Sequence, residues 1–463
     1  MRKKSDELLG TAPILPLIFK MSLPTVFAQL VNLMYSIVDR IYIGHISGIG
    51  KEALAGIGVA STVVILVAAF ANMIAGGAGP LAAIALGKGD RERAERILGN
   101  AFILIILFTL ICIVFSYALM TPVLKLAGAS DTTMSYAKEY LNIYLLGTFF
   151  VMVSTGLNAF ISVQGRPVVA MISVLIGAIL NTALDPIFIF VFDMGIKGAA
   201  VATVISQISS SVFVVAFLTH KNTSLRLRLS RLKIDGRIIG TIVALGISPF
   251  VMASTESLVG FALNGMLSTF DDVYVSALTI MQSAMQIVSI PLAGFTQGVS
   301  PIISYNYGHK NPGRIKETLR YTFAIGVGFN LIGMLLMIVF PRTVASVFTS
   351  DEMLIDIVGK FLPLFLAGMT IFGLQRVCQN TFIALGDSKI SLCIALLRKV
   401  VLLVPLALLL PGIWGVRGVY AAEAIADATA AILCTLIFTF RFPVLMRKNE
   451  VQRDENKTQQ TKF

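Results

Sequence analysis

The sequence predicts an all-α polytopic membrane protein with 12 transmembrane helices in two pseudo-symmetric six-helix bundles. Three observations carry that reading. First, 56% of the 463 residues are hydrophobic and only 13% are charged, whereas a soluble domain carries about 25% charged residues. Second, apolar runs of about 20 residues recur along the chain, the length a helix needs to cross a bilayer. They are continuous rather than alternating, which argues against a membrane β-barrel. Third, the chain is written twice. Pro80, Gly87 and Gly165 return at one constant offset as Pro301, Gly308 and Gly386, and the pair Gly195 and Gly198 returns one residue closer as Gly415 and Gly418. Duplicated hydrophobic bundles are a recurring plan for transporters.

The predicted spans are 14–43, 54–86, 97–120, 137–163, 168–192, 197–219, 238–266, 273–306, 319–340, 357–384, 389–410 and 416–440. Those longer than 25 residues are read as tilted, kinked or extended beyond the lipid. Residues 1–219 form the N-terminal bundle, 220–237 a basic linker, 238–440 the C-terminal bundle and 441–463 a tail. Lys and Arg crowd alternate loops: Arg2, Lys3 and Lys4; Lys88, Arg91, Arg93 and Arg96; Lys221, Arg226, Arg228, Arg231, Lys233 and Arg237; Lys310, Arg314, Lys316 and Arg320; Arg441, Arg447 and Lys448. The positive-inside rule then puts both termini in the cytoplasm of a multi-pass plasma-membrane protein. It also favours an even number of spans, so that the halves share one orientation. The basic charge is spread over these loops, and no patch for nucleic acid is expected. The first apolar stretch follows a polar stub and is too long for a cleavable signal. Cys112, Cys378, Cys393 and Cys434 all fall in spans without CxxC spacing, and read as buried small apolar residues. The polar segment 449–463 reads as disordered.

Ionisable groups inside spans are costly and so mark function by default. In the N-terminal half, Asp39 lies near the end of span 1 and Asn181 and Asp185 lie one turn apart in span 5. Thr203 lies inside span 6. At 1.5 Å per residue all four reach the same half of the bilayer. Two carboxylates, a carboxamide and a hydroxyl form a hard-oxygen set that can hold a small cation such as Na⁺, or protons. Competing readings are an Asp39–Arg40 ion pair, and an Asp185 carboxylate that satisfies backbone freed by Pro186. Thr203 alone would usually bond its own helix.

The C-terminal half carries Glu256 in span 7 and Glu423 and Asp427 in span 12, with Arg376, Arg398 and Lys399 in spans 10 and 11. Arg398 or Lys399 is expected to neutralise Glu423 or Asp427. Glu256 has no obvious partner at its depth, which makes it the candidate for a cationic substrate or a proton. Intramembrane amides such as Asn158, Gln282 and Gln379 read mostly as interhelical glue, with a minority lining a cavity. The chain has 18 Met and 30 Phe. Flexible apolar groups such as Met281 and Met285 suit a wall that accepts many shapes, although ordinary core packing competes at each position. Pro24 and Pro249 are expected to kink the first span of each half.

The stretches MYSIVDRIYIGHISGIGKEALAGIGVA (34–60), LNTALDPIFIF (180–190) and GIKGAAVATVISQ (195–207) resemble signatures of the multidrug and toxic compound extrusion (MATE) transporters. The resemblance runs from Pro13 to about Phe442 and is greatest to the MepA-type bacterial branch. It implies two bundles in a V around a central cavity, and export of small amphipathic, often cationic drugs and dyes in exchange for Na⁺ or H⁺. No cofactor beyond that coupling ion is implied, and the chain reads as a monomer in the lipid bilayer. The resemblance also implies that Asp39, Asn181, Asp185 and Thr203 form the cation site. The residues themselves offer Glu256, Gln282, Met281 and Met285 as candidate substrate contacts, and the resemblance matches Glu256 in kind to a seventh-span acid of some members. Span 10 departs from some members, with Gln375, Arg376 and Gln379 where an acid can stand. A lipid-linked oligosaccharide flippase is the alternative and would need a basic cavity. An enzyme is disfavoured, because His45, His220 and His309 lie near loops and no nucleophile arrangement or phosphate-cradling loop occurs.

Overall fold

The computed structural model describes residues 4–221, 223–228 and 232–460, which are almost entirely helical and contain no strand. Arg2, Lys3 and Arg231 of the basic clusters lie outside the described residues. Eleven helices are long and apolar enough to cross a membrane, and a bent pair, kinked by 43°, supplies a twelfth span. In chain order they are α1 (Ile14–Gly44), α2 (Gly50–Gly87), α3 (Arg91–Leu126), α4 (Asp131–Ser162), α5 (Pro167–Val191) and α6 (Gly195–Thr219). The second half holds α7 (Gly236–Ser268), α8 (Asp272–Gly308), α9 (Pro312–Val339), the bent α10 (Glu352–Leu366 with Gly368–Ala384), α11 (Ser388–Trp414) and α12 (Val416–Gln460). The twelve spans read from hydropathy correspond to these one for one, with edges moved by a few residues except in α12, which runs well past 440 to Gln460.

The repeat is visible in the backbone. Gly165 and Gly386 both turn with positive φ (74° and 82°), and so do Gly195 and Gly415 (55° and 56°). This is the left-handed region that only glycine enters without a Cβ penalty, so each glycine ends one helix and aims the next. Side-chain bonds repeat as well. Asn158 Nδ2 donates to the Ala170 carbonyl at 3.2 Å, and Gln379 Nε2 donates to the Ser391 carbonyl at 2.9 Å. Both join the fourth helix of a half to the fifth, as expected of amides acting as interhelical glue.

The chain forms two compact units. The first contains Met1–Thr11 and Phe27–Phe250, the second Ala12–Val26 and Val251–Phe463. They follow the two sequence halves except in the leading helices. The start of α7 belongs to the first unit and the start of α1 to the second, and each boundary falls just beyond Pro249 or Pro24. Glycine makes both attachments close. In the first unit a Cβ on Gly77 of α2 would sit 2.1 Å from the Ile242 carbonyl oxygen of α7. In the second, a Cβ on Gly298 of α8 would sit 2.4 Å from Ser22 Cα of α1. Gly77 and Gly298 are counterparts in the repeat. Because backbone cannot yield as a flexible side chain does, Gly77→Ala should destabilise the protein by ~1–3 kcal/mol. Gly58→Ala, with open space around its Cβ, should be neutral. Thermal unfolding of both variants in detergent checks this.

The linker packs on the first unit. Asn100 of α3, fully buried, donates to the Lys233 carbonyl (3.1 Å) and accepts from the Asp235 amide (2.9 Å). The Leu225 amide donates to Gln164 Oε1 at 2.9 Å. Two expectations are corrected. The segment from Asn449 is not disordered where it is described: α12 continues to Gln460. No proline or glycine after Pro443 stops it. Asn449 Nδ2 donates to the Tyr307 carbonyl at 2.9 Å, and Glu450 meets Lys316 at 3.5 Å. Cys112, Cys378 and Cys434 are buried and unbridged as expected, but Cys393 is exposed on α11, a position that faces lipid as readily as core in an apolar helix.

Candidate functional site

The four polar residues of the first half converge. Asn181 and Asp185 lie one turn apart on α5, so their side chains share a face, and the Asn181 Nδ2 donates to Asp185 Oδ1 at 3.2 Å. The same amide lies 3.4 Å from Thr203 Oγ1 on α6. Thr203 in turn donates to the Ala199 carbonyl at 3.0 Å, which leaves its lone pairs for the cluster. Asp39 on α1 interacts directly with Asp185. Asp185 is fully buried and Asn181 nearly so.

Both competing readings fail on geometry. Asp39 forms no ion pair with Arg40 within 4 Å among the described residues, and Arg40 is exposed. The Asp185 carboxylate accepts from Asn181 and not from backbone freed at Pro186. Beyond Pro186, the turn Ile187–Val191 widens to a π-helix. A π-turn re-satisfies backbone locally and is frequent at functional sites.

Three oxygens of this cluster are buried without a hydrogen-bond partner: Asp39 Oδ1, Asn181 Oδ1 and Asp185 Oδ2. Buried acceptors are ordinarily satisfied. Two adjacent carboxylates with unfilled oxygens, a carboxamide oxygen and a hydroxyl fit a small hard cation or a shared proton, so the donor set passes the test for Na⁺ or H⁺.

Sequence reasoning missed the tyrosines. Tyr35, one turn before Asp39, interacts with both Asp39 and Asp185. Tyr140 of α4 lies beside Asp39 and Thr203 and stacks on Tyr144 at 5.8 Å between ring centroids. The signal was present: Tyr35 and Asp39, like Tyr140 and Tyr144, are spaced to share a helix face.

The second unit arranges its charges differently. The Arg398 Nε donates to Asp427 Oδ1, and Arg398 Nη2 lies 3.9 Å from Glu423 Oε1. The guanidinium also stacks over Phe372, 4.6 Å from the ring centroid. The expected neutralisation of Glu423 and Asp427 is thus made by Arg398. The expectation that Glu256 lacks a partner is corrected: Lys399 Nζ lies 3.7 Å from its Oε1. Arg398 and Lys399 leave α11 on different faces, within the π-turn Leu397–Leu403, and so meet different acids. Glu256 stays open, with 69% of its side chain exposed. Met281 is fully buried in the apolar core of the unit and Met285 packs against that core. Met281 therefore lines no cavity, while Gln282 is partly buried.

Comparison with known proteins agrees with the architecture. The MatE family profile matches residues 24–187 and 249–409, one block per half. The multidrug export protein MepA of Staphylococcus aureus is 24% identical over 427 residues, covering 92% of this chain and 94% of that one. MepA of Staphylococcus haemolyticus is 24% identical over 416 residues, covering 90% and 91%. A solved outward-facing multidrug resistance MATE transporter of the MOP superfamily superposes with a TM-score of 0.89 at 23% identity, over 96% of this chain and 99% of that one. A MOP superfamily transporter from Pyrococcus furiosus, described as having a binding pocket of reverse polarity, gives 0.88 at 24% identity over the same shares. With both halves matched by the profile, this multi-pass membrane protein belongs to the MatE family of multidrug efflux transporters.

Proposed function

We propose that the protein exports small amphipathic, often cationic compounds by alternating access, driven by entry of Na⁺ or H⁺ bound at Asp39, Asn181, Asp185 and Thr203. The observation that carries this reading is the set of three buried, unpartnered oxygens in that cluster. A buried carboxylate pair with unmet acceptor capacity gains most by taking up a positive charge. Coupling follows if cation and drug favour different states of the protein. The loop charges support cytoplasmic termini in the plasma membrane, and the chain works as a monomer without a cofactor. The test is ethidium export from proteoliposomes with pH and Na⁺ gradients imposed separately. Export under one gradient identifies the ion, and export with neither gradient removes the coupling.

Glu256 is the substrate contact of the second unit, with Gln282 and Met285 secondary to it. Its carboxylate is exposed and lies 3.7 Å from the largely buried Lys399 ammonium, so an incoming organic cation reaches it from the open side. Glu256→Gln should reduce export of cationic dyes by ~5–10-fold, about the worth of one partly exposed charge pair, and of neutral compounds much less. Equal losses for the two classes would make its role structural. The flippase alternative needs a basic cavity around an anionic cargo; of its three cations Arg376, Arg398 and Lys399, the last two are engaged by acids, and the first-unit acids weigh against it.

A further inference from the structure

We propose that Glu423, beside Asp427 and Arg398 in the interior of the second unit, is a proton-binding site separate from the Asp39 cluster. The argument begins with charge and geometry. Glu423 and Asp427 lie one turn apart on α12, so two carboxylates share a face. Their side chains are 4% and 0% exposed. One guanidinium serves both, and it serves them unequally. Arg398 hydrogen-bonds Asp427, while it only approaches Glu423, at 3.9 Å. Glu423 Oε2 and Asp427 Oδ2 are both buried without a partner.

Lys399, Glu256 and Arg376 complete the charged surroundings, and Lys399 acts on Glu423 as well as on Glu256. Lys399 of α11 pairs with Glu256 of α7, and Arg376 of α10 faces Glu256 and Arg398. A proton on Glu423 would remove one of two adjacent like charges. It would also turn an orphan acceptor into a donor, with the free Asp427 oxygen as a candidate acceptor. A metal ion fits less well, because the guanidinium repels it and leaves two carboxylates as the acidic ligands of this site.

Position in the repeat supports the assignment independently. Counted from Gly415, Glu423 occupies in α12 the place that Thr203 occupies in α6 counted from Gly195, and both glycines make the same positive-φ turn. Both sites also involve a π-turn in the preceding helix, at Ile187–Val191 and Leu397–Leu403. The second unit therefore holds a polar site at the same level of its own helix pair, with an arginine built in.

The test uses difference infrared spectra of the purified protein between acid and alkaline buffer. In the Asp39→Asn/Asp185→Asn variant, which has lost the carboxylates of the first unit, a carbonyl band from a buried protonated carboxyl should persist. Adding Glu423→Gln should abolish it. No band in the double variant, or a band that survives Glu423→Gln, overturns the proposal. If the combined variant fails to fold, Glu423→Asp alone keeps the acid and should shift the band, and an unmoved band overturns the proposal equally. Because the readout is taken without the first-unit acids, it fails or succeeds independently of whether Asp39 and Asp185 couple transport.

Discussion

Asp185→Asn will reduce ethidium export by ~100-fold, near the upper end of what a single coupling free energy supplies, while membrane levels of the protein stay unchanged. Asp39→Asn will act in the same direction with a smaller loss. Asparagine keeps the shape of the side chain and one acceptor oxygen but can neither carry the charge nor take up the proton. Asp185 is the more sensitive position, since it is fully buried and already accepts from Asn181 at 3.2 Å. Thr203→Val removes a neutral ligand and should cost less, about 5–10-fold, at the low end of the same range. The measurement is initial-rate dye efflux from everted vesicles, with immunoblot normalisation. Wild-type rates in both aspartate variants would leave the cluster without a role in transport.

The second large effect is on stability. Arg398→Met should destabilise the second unit by ~3–5 kcal/mol, because removal of one partner strands buried carboxylates without their cation. Arg398 is 9% exposed in its side chain, Glu423 4% and Asp427 0%, so water cannot take over. The triple variant Arg398→Met/Glu423→Gln/Asp427→Leu should recover much of that loss, since a buried ion network replaced whole by neutral groups is often close to neutral in stability. Thermal unfolding in detergent of the single and triple variants decides the matter. Equal destabilisation by both would mean that Arg398 acts through its stacking on Phe372 rather than through the acids.

Much of this was legible in the sequence. Hydropathy located all twelve spans because each must bury or dissolve about 20 apolar residues. The repeat of Gly165 and Gly195 as Gly386 and Gly415 marked turns whose positive φ admits glycine readily, and that of Gly198 as Gly418 marked places where two backbones come too close for a Cβ. Asp39, Asn181, Asp185 and Thr203 stood out because polar groups are rare at that depth, and the structure brings them together. What failed was pairing across helices. Lys399 and Arg398 are adjacent in sequence, but neighbours on a helix point in different directions, and one meets Glu256 while the other meets Asp427. Met281 and Met285 sit one turn apart, and apolarity alone could not say that Met281 faces the core. The tail misled for a different reason. Polar composition argues against a packed core, yet a helix already running from Val416 continues without needing one, since propagation adds a hydrogen bond for each residue fixed.

The exchange of leading helices bears on how the protein is made. Residues 12–26 emerge from the ribosome early, but the rest of the body they complete begins at Val251. Conversely, the body built mainly from the first half is unfinished until Phe250 has been synthesised. Neither half of the gene therefore encodes a self-sufficient product, and a cut at the linker would orphan a segment on each side. That early stretch must wait until the second half has been made, which makes its docking a late and highly non-local event in assembly.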